Sequence, residues 1–212
     1  MNFKEFEILF NEKVPINYKT HDLDVFNKYL IKNNIDVSFL KENVNIDDKY
    51  HRTYFQVMLS KYNTIEEKLE FIEKNETLLK DWWHVDQLTQ FCDKYLNLEI
   101  GYEKAKKYVF SKLTFTRRWG YVLFMPSLVK QKESFELIVS LLKNDEEYYV
   151  IMAEAWLISY LAIYYPDKTL EYLINCNLKY NIVGRAIQKI CDSFRVSSEY
   201  KNKFKEIRKK YK

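Results

Sequence analysis

Trp82 and Asp86 are a pair whose residue types and spacing suggest chemistry. Residues four apart on a helix lie on one face, one turn from each other, and His84 between them points elsewhere. A tryptophan ring beside a carboxylate can stack on a flat or cationic group while the negative charge stabilises that group. The same pair could instead make a helix–helix contact, with the ring packed and the carboxylate bound to a backbone amide.

Arg118 and Trp156 follow this pair at comparable intervals. Arg118 comes 36 residues after Trp82, and Trp156 comes 38 residues after Arg118. In a chain of structural repeats, residues at such intervals occupy equivalent places and can line one surface. We therefore treat Trp82, Asp86, Arg118 and Trp156 as one candidate site.

Glycine and proline are rare, with three of each among 212 residues. Gly101, Gly120 and Gly184 are too far apart to build a G-x-G-x-x-G turn, a P-loop or a nucleophile elbow. This excludes Rossmann, P-loop and α/β-hydrolase chemistry, and it favours a helical protein.

Cysteine and histidine give no sign of a metal site. The three cysteines are an odd number without C-x-x-C spacing, and the three histidines form no H-E-x-x-H segment. We expect no metal, no cofactor and a reducing, cytoplasmic location. Because no uncharged stretch of 18 residues occurs, we also expect no membrane partner.

The positive charge is concentrated at the C-terminal end. The chain has a net charge of +4, whereas residues 201–212 alone carry +6, so the other 200 residues sum to −2. A protein that holds phosphates along its whole length is more often basic throughout. The composition is also 17% aromatic. Most of these rings fall at helical core spacing, and a stacking surface for single-stranded nucleic acid is the weaker interpretation.

From Thr64 onward, apolar residues recur with helical spacing. Thr64 and Glu67 form a capping box that predicts a helix start, Pro166 predicts another start, and Gly101 predicts a break between helices. The predicted helices of this part, after the first, are 82–96, 101–113, 115–130, 133–143, 146–164, 167–176, 181–194 and 198–210.

The predicted helix pairs restart near residues 82, 115, 147 and 181, at spacings of 33, 32 and 34 residues. Such a period with two helices per unit is typical of α-solenoids. We expect an all-α, single-domain solenoid of stacked antiparallel helix pairs, curved around a concave cleft. Its parts are an irregular N-terminal cap (1–63, helices at 3–10, 22–34 and 48–62), the repeats (64–200) and the basic C-terminal end (201–212).

Four segments resemble the AlkD-like DNA alkylation repair proteins, which are built from HEAT-like repeats. Residues 82–86, WWHVD, are similar to the family's W-x-x-x-D segment, and residues 118–124, RWGYVLF, to its R-[FW]-G-x-V-[ML] segment. Residues 148–159, YYVIMAEAWLIS, resemble Y-Y-V-x-M-A-x-A-W-x-x-S of one branch. Residues 185–197, RAIQKICDSFRVS, resemble the terminal A-I-Q-K-x-x-[ED]-S-x-R-[VI]-S. The resemblance runs in the right order from about residue 64 to 200.

This resemblance implies that the protein excises cationic N3- or N7-alkylated purines from duplex DNA, without a metal or cofactor. It implies that Asp86 stabilises the oxocarbenium-like sugar and helps to place the water. Trp82 and Trp156 would then pack against the damaged nucleotide, and Arg118 would hold the DNA backbone.

The chain departs from the family's active members near its N-terminus. Those members carry a G-[VI]-x-x-P-x-x-R segment that contacts DNA, and residues 1–63 cannot contain it because the first glycine is Gly101. In the best-known branch L-R-E follows the tryptophan, whereas here Trp156 is followed by LIS. Two functions therefore stay open. One is a glycosylase that binds duplex DNA in the cleft; the other is a non-catalytic HEAT-like scaffold for another nucleic acid structure or a protein partner. In both cases we expect a monomer.

Overall fold

A computed structural model describes residues 1–125 and 127–210, and every regular element in these ranges is helical. The helices are α1 (Phe3–Lys13), α2 (Thr20–Lys32), α3 (Asp48–Ser60), α4 (Ile65–Lys74), α5 (Trp82–Asp86), α6 (Leu88–Cys92), α7 (Leu98–Tyr108), α8 (Thr114–Val122), α9 (Ser134–Leu141), α10 (Tyr148–Tyr164), α11 (Pro166–Asn175), α12 (Tyr180–Asp192) and α13 (Ser198–Lys210). Short 3₁₀ turns lie at Ser38–Glu42, Glu76–Leu78, Asp93–Tyr95 and Leu128–Lys130.

The chain forms two compact units. The N-terminal unit extends from Met1 to Tyr95 and contains α1–α6, and the C-terminal unit starts at Leu96 and contains α7–α13. In the N-terminal unit α3 packs against α2 and α6. In the C-terminal unit α8 packs against α7 and α10, and α12 packs against α10 and α13. None of the helices in the described ranges is long and apolar enough to cross a membrane.

The predicted repeat is present. The helices at which successive pairs restart, α5, α8, α10 and α12, begin at residues 82, 114, 148 and 180, each within one residue of the predicted restart. α3 begins at residue 48, one further period before α5. The prediction of an all-α solenoid of stacked helix pairs is thus confirmed, whereas its curvature and concave cleft stay predictions.

Hydrogen bonds within the C-terminal unit join residues about one period apart. The hydroxyl of Tyr165 donates to the carbonyl of Gln131 at 2.6 Å, 34 residues earlier. The hydroxyl of Tyr200 donates to Asp167 Oδ1 at 2.8 Å, 33 residues earlier. Within this unit, polar contacts as well as apolar packing therefore tie successive helix pairs together.

The helix starts predicted from local signals are confirmed. Thr64 Oγ1 accepts the Glu67 backbone N–H at 3.3 Å, and Glu67 Oε2 accepts the Thr64 N–H at 3.1 Å, which completes the capping box. Pro166 is the first residue of α11. There the missing proline N–H costs nothing, because the first turn of a helix has no internal acceptor for it.

Gly101 was predicted to separate two helices, and that prediction is wrong. α7 begins three residues earlier, after Asn97, whose side chain accepts the Ile100 N–H at 2.9 Å. Gly101 is buried inside α7, and a Cβ added to it would lie 2.5 Å from Leu128 Cδ1. This glycine permits close helix packing and does not interrupt the helix.

The helix predicted over 82–96 is also interrupted. It consists of α5, α6 and a 3₁₀ turn, with Gln87 between the two short helices. The hydroxyl of Thr89 donates to the Asp86 carbonyl at 2.8 Å, a side-chain bond that competes with a continuous helical ladder. The helix predicted over 115–130 ends at Val122 in α8, and Pro126 within that prediction lies outside the described residues.

The basic C-terminal end is mostly helical. It forms the larger part of α13, in which Phe204 and Ile207 are buried against α12 and its neighbours. Two of its lysines are ion-paired within the helix, Lys203 with Glu199 at 2.6 Å and Lys209 with Glu206 at 2.7 Å. Residues 211 and 212 lie outside the described residues.

Glu154 is a carboxylic acid in the middle of α10 with no exposure to solvent. Its Oε1 accepts the Lys143 backbone N–H at 2.7 Å, which ties the loop before α10 to the helix. Burial raises the pKa of Glu154 to about 8, although the Lys143 N–H acts in the opposite direction. The folded protein therefore favours the neutral acid at this position.

We expect the Glu154→Gln variant to be more stable than the wild type at high pH. The pKa is raised on folding, so the wild type has the full contribution of this group below about pH 4.5 and loses it as the pH rises through about 8. Glutamine keeps an acceptor for Lys143 and cannot ionise. The difference in free energy of unfolding should be on the order of 2–4 kcal/mol at pH 9 and should nearly vanish at pH 5.

Urea unfolding at pH 5, 7 and 9 measures this difference. The control is Glu146→Gln in the same loop, because the Glu146 side chain is 87% exposed and pairs only at the surface with Lys179. If Glu154→Gln and wild type differed by the same amount at all three pH values, Glu154 would not be the group that titrates.

Candidate functional site

α5 carries both Trp82 and Asp86. The helix begins after Asp81, whose Oδ1 accepts the Trp82 N–H at 2.6 Å. The Trp82 side chain is 47% exposed, and Asp86, at the other end of the helix, is partly exposed. One short helix thus presents an accessible indole ring and a carboxylate one turn apart.

His84, between them, is buried and meets a second histidine of the N-terminal unit. The rings of His84 and His51 stack with centroids 3.5 Å apart and an interplanar angle of 14°. The edge of Trp83 lies against both, at centroid distances of 5.2 Å to His51 and 4.2 Å to His84. The histidines form no recognisable sequence motif, but His51 and His84 are 33 residues apart, which is one repeat period.

The hydrogen-bond network around this stack fixes the histidines as neutral. The Arg52 guanidinium can only donate, and it donates to Gln87 Oε1 at 3.2 Å, so the Gln87 amide must donate to His51 Nδ1 at 2.8 Å. His84 Nδ1 accepts the Lys80 N–H at 3.1 Å. Burial lowers the pKa of His51 to about 2 and that of His84 to about 4, which agrees with the same protonation states.

Arg52 is a site-supporting residue that the sequence analysis missed. It is buried on α3, forms an ion pair with Asp24 at 2.7 Å, and donates to Gln90 Oε1 at 3.0 Å in addition to Gln87. Gln87 follows Asp86 directly in the chain, and Gln90 comes three residues after Gln87. Arg52 therefore anchors the segment that carries Asp86 onto α3. The signal available in the sequence was again the interval, since Gln87 follows Arg52 by 35 residues.

Arg118 and Trp156 lie in the C-terminal unit. Arg118, on α8, is only 4% exposed, and its NH1 donates to the Tyr149 carbonyl in the first turn of α10 at 2.7 Å. Trp156 lies two turns further along α10, where it is partly exposed and packs edge-on against Tyr160 at 6.0 Å between centroids. Arg118 therefore contacts α10, the helix that carries Trp156.

The four candidate residues are divided between the two units, Trp82 and Asp86 in one and Arg118 and Trp156 in the other. That all four line one concave cleft stays a prediction. Within the part of the chain that the structure describes, no group of three or more His, Cys, Asp or Glu side chains could hold a metal ion.

The fold and the period define the class of protein, an α-solenoid of helix pairs that repeat every 32 to 34 residues. The chain belongs to the family of the DNA alkylation repair enzymes, because the family model with that description matches residues 48–190. The match begins with α3 and ends within α12, and it confirms the resemblance drawn from the sequence. No curated protein and no solved structure matches the chain.

We expect the buried histidines to make the N-terminal unit sensitive to acid. Their pKa values are lowered on folding, so their contribution to stability is complete above pH 6.5 and is lost as the pH falls towards about 4. The His84→Asn variant keeps an acceptor for the Lys80 N–H but cannot be protonated. It should reduce the loss of unfolding free energy below pH 6.5 by up to about 1.4 kcal/mol per pH unit.

Denaturant unfolding between pH 7.5 and 5 tests this expectation. The exposed third histidine supplies the control, because His21→Asn removes a histidine side chain outside the stack. An unchanged pH dependence in His84→Asn, with His21→Asn also unchanged, would show that the stacked pair does not set the response to acid.

Proposed function

We propose that the protein excises cationic N3- or N7-alkylated purines from DNA, with Asp86 as the catalytic carboxylate. Membership of the DNA alkylation repair enzyme family supports the substrate class. The observation that carries the proposal is the accessible Trp82–Asp86 pair on α5, opposite a His84 side chain that is buried and held by hydrogen bonds. A carboxylate on a segment anchored through Arg52 is preorganised to stabilise positive charge.

The chemistry requires little else from the protein. When the bond between the sugar C1′ and the purine nitrogen breaks, its electron pair goes to the base, which leaves neutral. The positive charge moves to the sugar, where the Asp86 carboxylate stabilises the oxocarbenium-like state. A water oxygen then bonds to C1′ and loses a proton to solvent. Because the leaving base is already cationic, no general acid is needed to protonate it.

The other candidate residues have supporting roles in this proposal. Trp82 and Trp156 form the aromatic walls beside the damaged nucleotide, and partial exposure of both rings is consistent with that role. Arg118 contacts the DNA backbone. For that role, the Arg118 guanidinium must reach a phosphate. It is 4% exposed and already donates to the Tyr149 carbonyl.

The burial of Arg118 favours a second candidate function, a non-catalytic scaffold. The bond from Arg118 to Tyr149 explains the arginine structurally, since it holds α8 against the start of α10. The absence of the family's N-terminal DNA-contact segment from residues 1–63 points the same way. Such a scaffold would bind another nucleic acid structure or a protein without releasing a base.

We expect Asp86→Asn to abolish most base release. The substrate is a duplex oligonucleotide with one N7-methylguanine, and the free base is measured by chromatography. Loss of the negative charge should slow release at least about 100-fold, because one electrostatic contact to a transition state is commonly worth this much. The temperature of unfolding should change by only a few degrees, since the Asp86 side chain is partly exposed.

Asp81→Asn is the matched control, because it removes the same charge from the opposite end of α5 and keeps an N-cap side chain. Its release rate should stay close to that of the wild type. Equal rates for Asp86→Asn and wild type would remove Asp86 from the catalytic role. No release by the wild type would leave the scaffold as the better description.

A further inference from the structure

One face of α10 carries a row of large, partly exposed side chains. Tyr148, Met152, Trp156 and Tyr160 are spaced by four residues, so they lie one above the other along the helix. Tyr148 is 53% exposed, and the other three are half-buried. These residues therefore form a surface of the C-terminal unit and are not part of its core.

A cation lies over each aromatic ring of this row. The guanidinium carbon of Arg185 lies 5.1 Å from the centroid of Tyr148, and that of Arg195 lies 4.6 Å from the centroid of Tyr160. Between them, Lys189 Nζ lies 5.9 Å from the centroid of Trp156. Cation–π contacts of this kind hold long basic side chains in place. We call these residues the cation–aromatic row: Tyr148, Met152, Trp156, Tyr160, Arg185, Lys189 and Arg195.

The two arginines of the row differ from other cations of the C-terminal unit in their ion pairing. Among the residues that the structure describes, no carboxylate forms an ion pair with Arg185 or Arg195, and both arginines are exposed. In contrast, Lys168 and Lys179 on the same unit pair with glutamates at 3.0 and 3.4 Å. Exposed guanidinium groups that lack a counterion and are held beside rings are suited to binding phosphate.

The basic surface continues into a neighbouring cleft. Arg185 lines a cleft of about 410 Å³ together with Tyr180 and Arg208. Arg208 is oriented there by Gln188 Oε1 at 3.0 Å and by the Tyr180 hydroxyl at 3.4 Å. Tyr180 and Arg208 thus extend the basic and aromatic surface beyond the Tyr148 end of the row.

We infer that the cation–aromatic row binds single-stranded nucleic acid. A duplex presents phosphates to a surface but keeps its bases stacked inside, so aromatic rings on that surface gain little from it. A single strand offers phosphates to the arginines and unstacked bases to the rings, and both features of the row are then used. Arg185, Lys189 and Arg195 contact phosphates, and the Trp156 and Tyr160 rings stack on bases.

This binding activity goes beyond the proposed excision. It needs neither an alkylated base nor Asp86, and it is confined to α10, α12 and the residues that follow α12. It shares only Trp156 with the candidate site. Single-strand binding and base excision can therefore be tested independently, provided that Trp156 is left unchanged.

The test measures fluorescence anisotropy of a labelled oligodeoxythymidine of about 20 nucleotides across a salt series. The double variant Arg185→Gln/Arg195→Gln should weaken binding at least about tenfold. The slope of log K against log salt should become shallower by about 1.4, at about 0.7 per phosphate contact on a single strand. Tyr160→Leu should weaken binding about 5- to 100-fold without changing the slope, because stacking involves no counterion release.

The control is Lys168→Gln/Lys179→Gln, which removes two positive charges elsewhere on the same unit. We expect its affinity to stay within about twofold of the wild type, and all variants should keep the thermal midpoint of the wild type within a few degrees. If both double variants lost the same amount of affinity, binding would depend on the overall positive charge and not on the cation–aromatic row. Equal affinity for a duplex of the same length, or no binding of the single strand at low salt, would overturn the inference. None of these outcomes decides the excision proposal, which the comparison of Asp86→Asn with wild type tests separately.

Discussion

Contact between side chains one repeat apart is the constraint on which this structure depends. A helix pair of this size cannot bury its apolar face alone, so each pair is stabilised by the one beside it. In the C-terminal unit the contact includes the bonds from Tyr165 and Tyr200 to residues 34 and 33 positions earlier. In the N-terminal unit it includes the His51–His84 stack and the bond from Arg52 to Gln87. Because α5 is only five residues long, these contacts rather than its own ladder must fix Trp82 and Asp86 in place.

Much of the fold could be predicted because its signals are local. A capping box at Thr64 and a proline at 166 satisfy or avoid the orphan amides of a helix start, so the residue types alone reveal the boundary. The prediction at Gly101 was wrong because glycine ends helices in some contexts and permits close packing in others. The approach of Leu128 to Gly101, which indicates close packing, is visible only in the structure. The break at Gln87 coincides with the bond from the Thr89 hydroxyl to the Asp86 carbonyl, and apolar periodicity does not register such a side-chain bond.

The candidate site was predictable in part, for a different physical reason. Trp82, Asp86, Arg118 and Trp156 were chosen from residue types, intervals and a family resemblance, and all four lie within residues 48–190, which the family model matches. Their roles stay proposals. The supporting residues Arg52, His51 and Gln87 were invisible because buried polar groups follow no apolar pattern; their only sequence signal was an interval of one repeat. Arg118 was expected at a DNA surface, and its contact with Tyr149 gives it a packing role that sequence reasoning did not anticipate.

The most direct test compares base release from two duplexes that differ only in the charge of the damaged base. One carries N7-methylguanine, which is cationic, and the other carries O6-methylguanine, which is neutral. A site that stabilises the sugar with Asp86 and lacks a general acid depends on a base that is already a good leaving group. We expect release of the cationic base alone; release of both bases at similar rates, or of neither, would contradict the central claim.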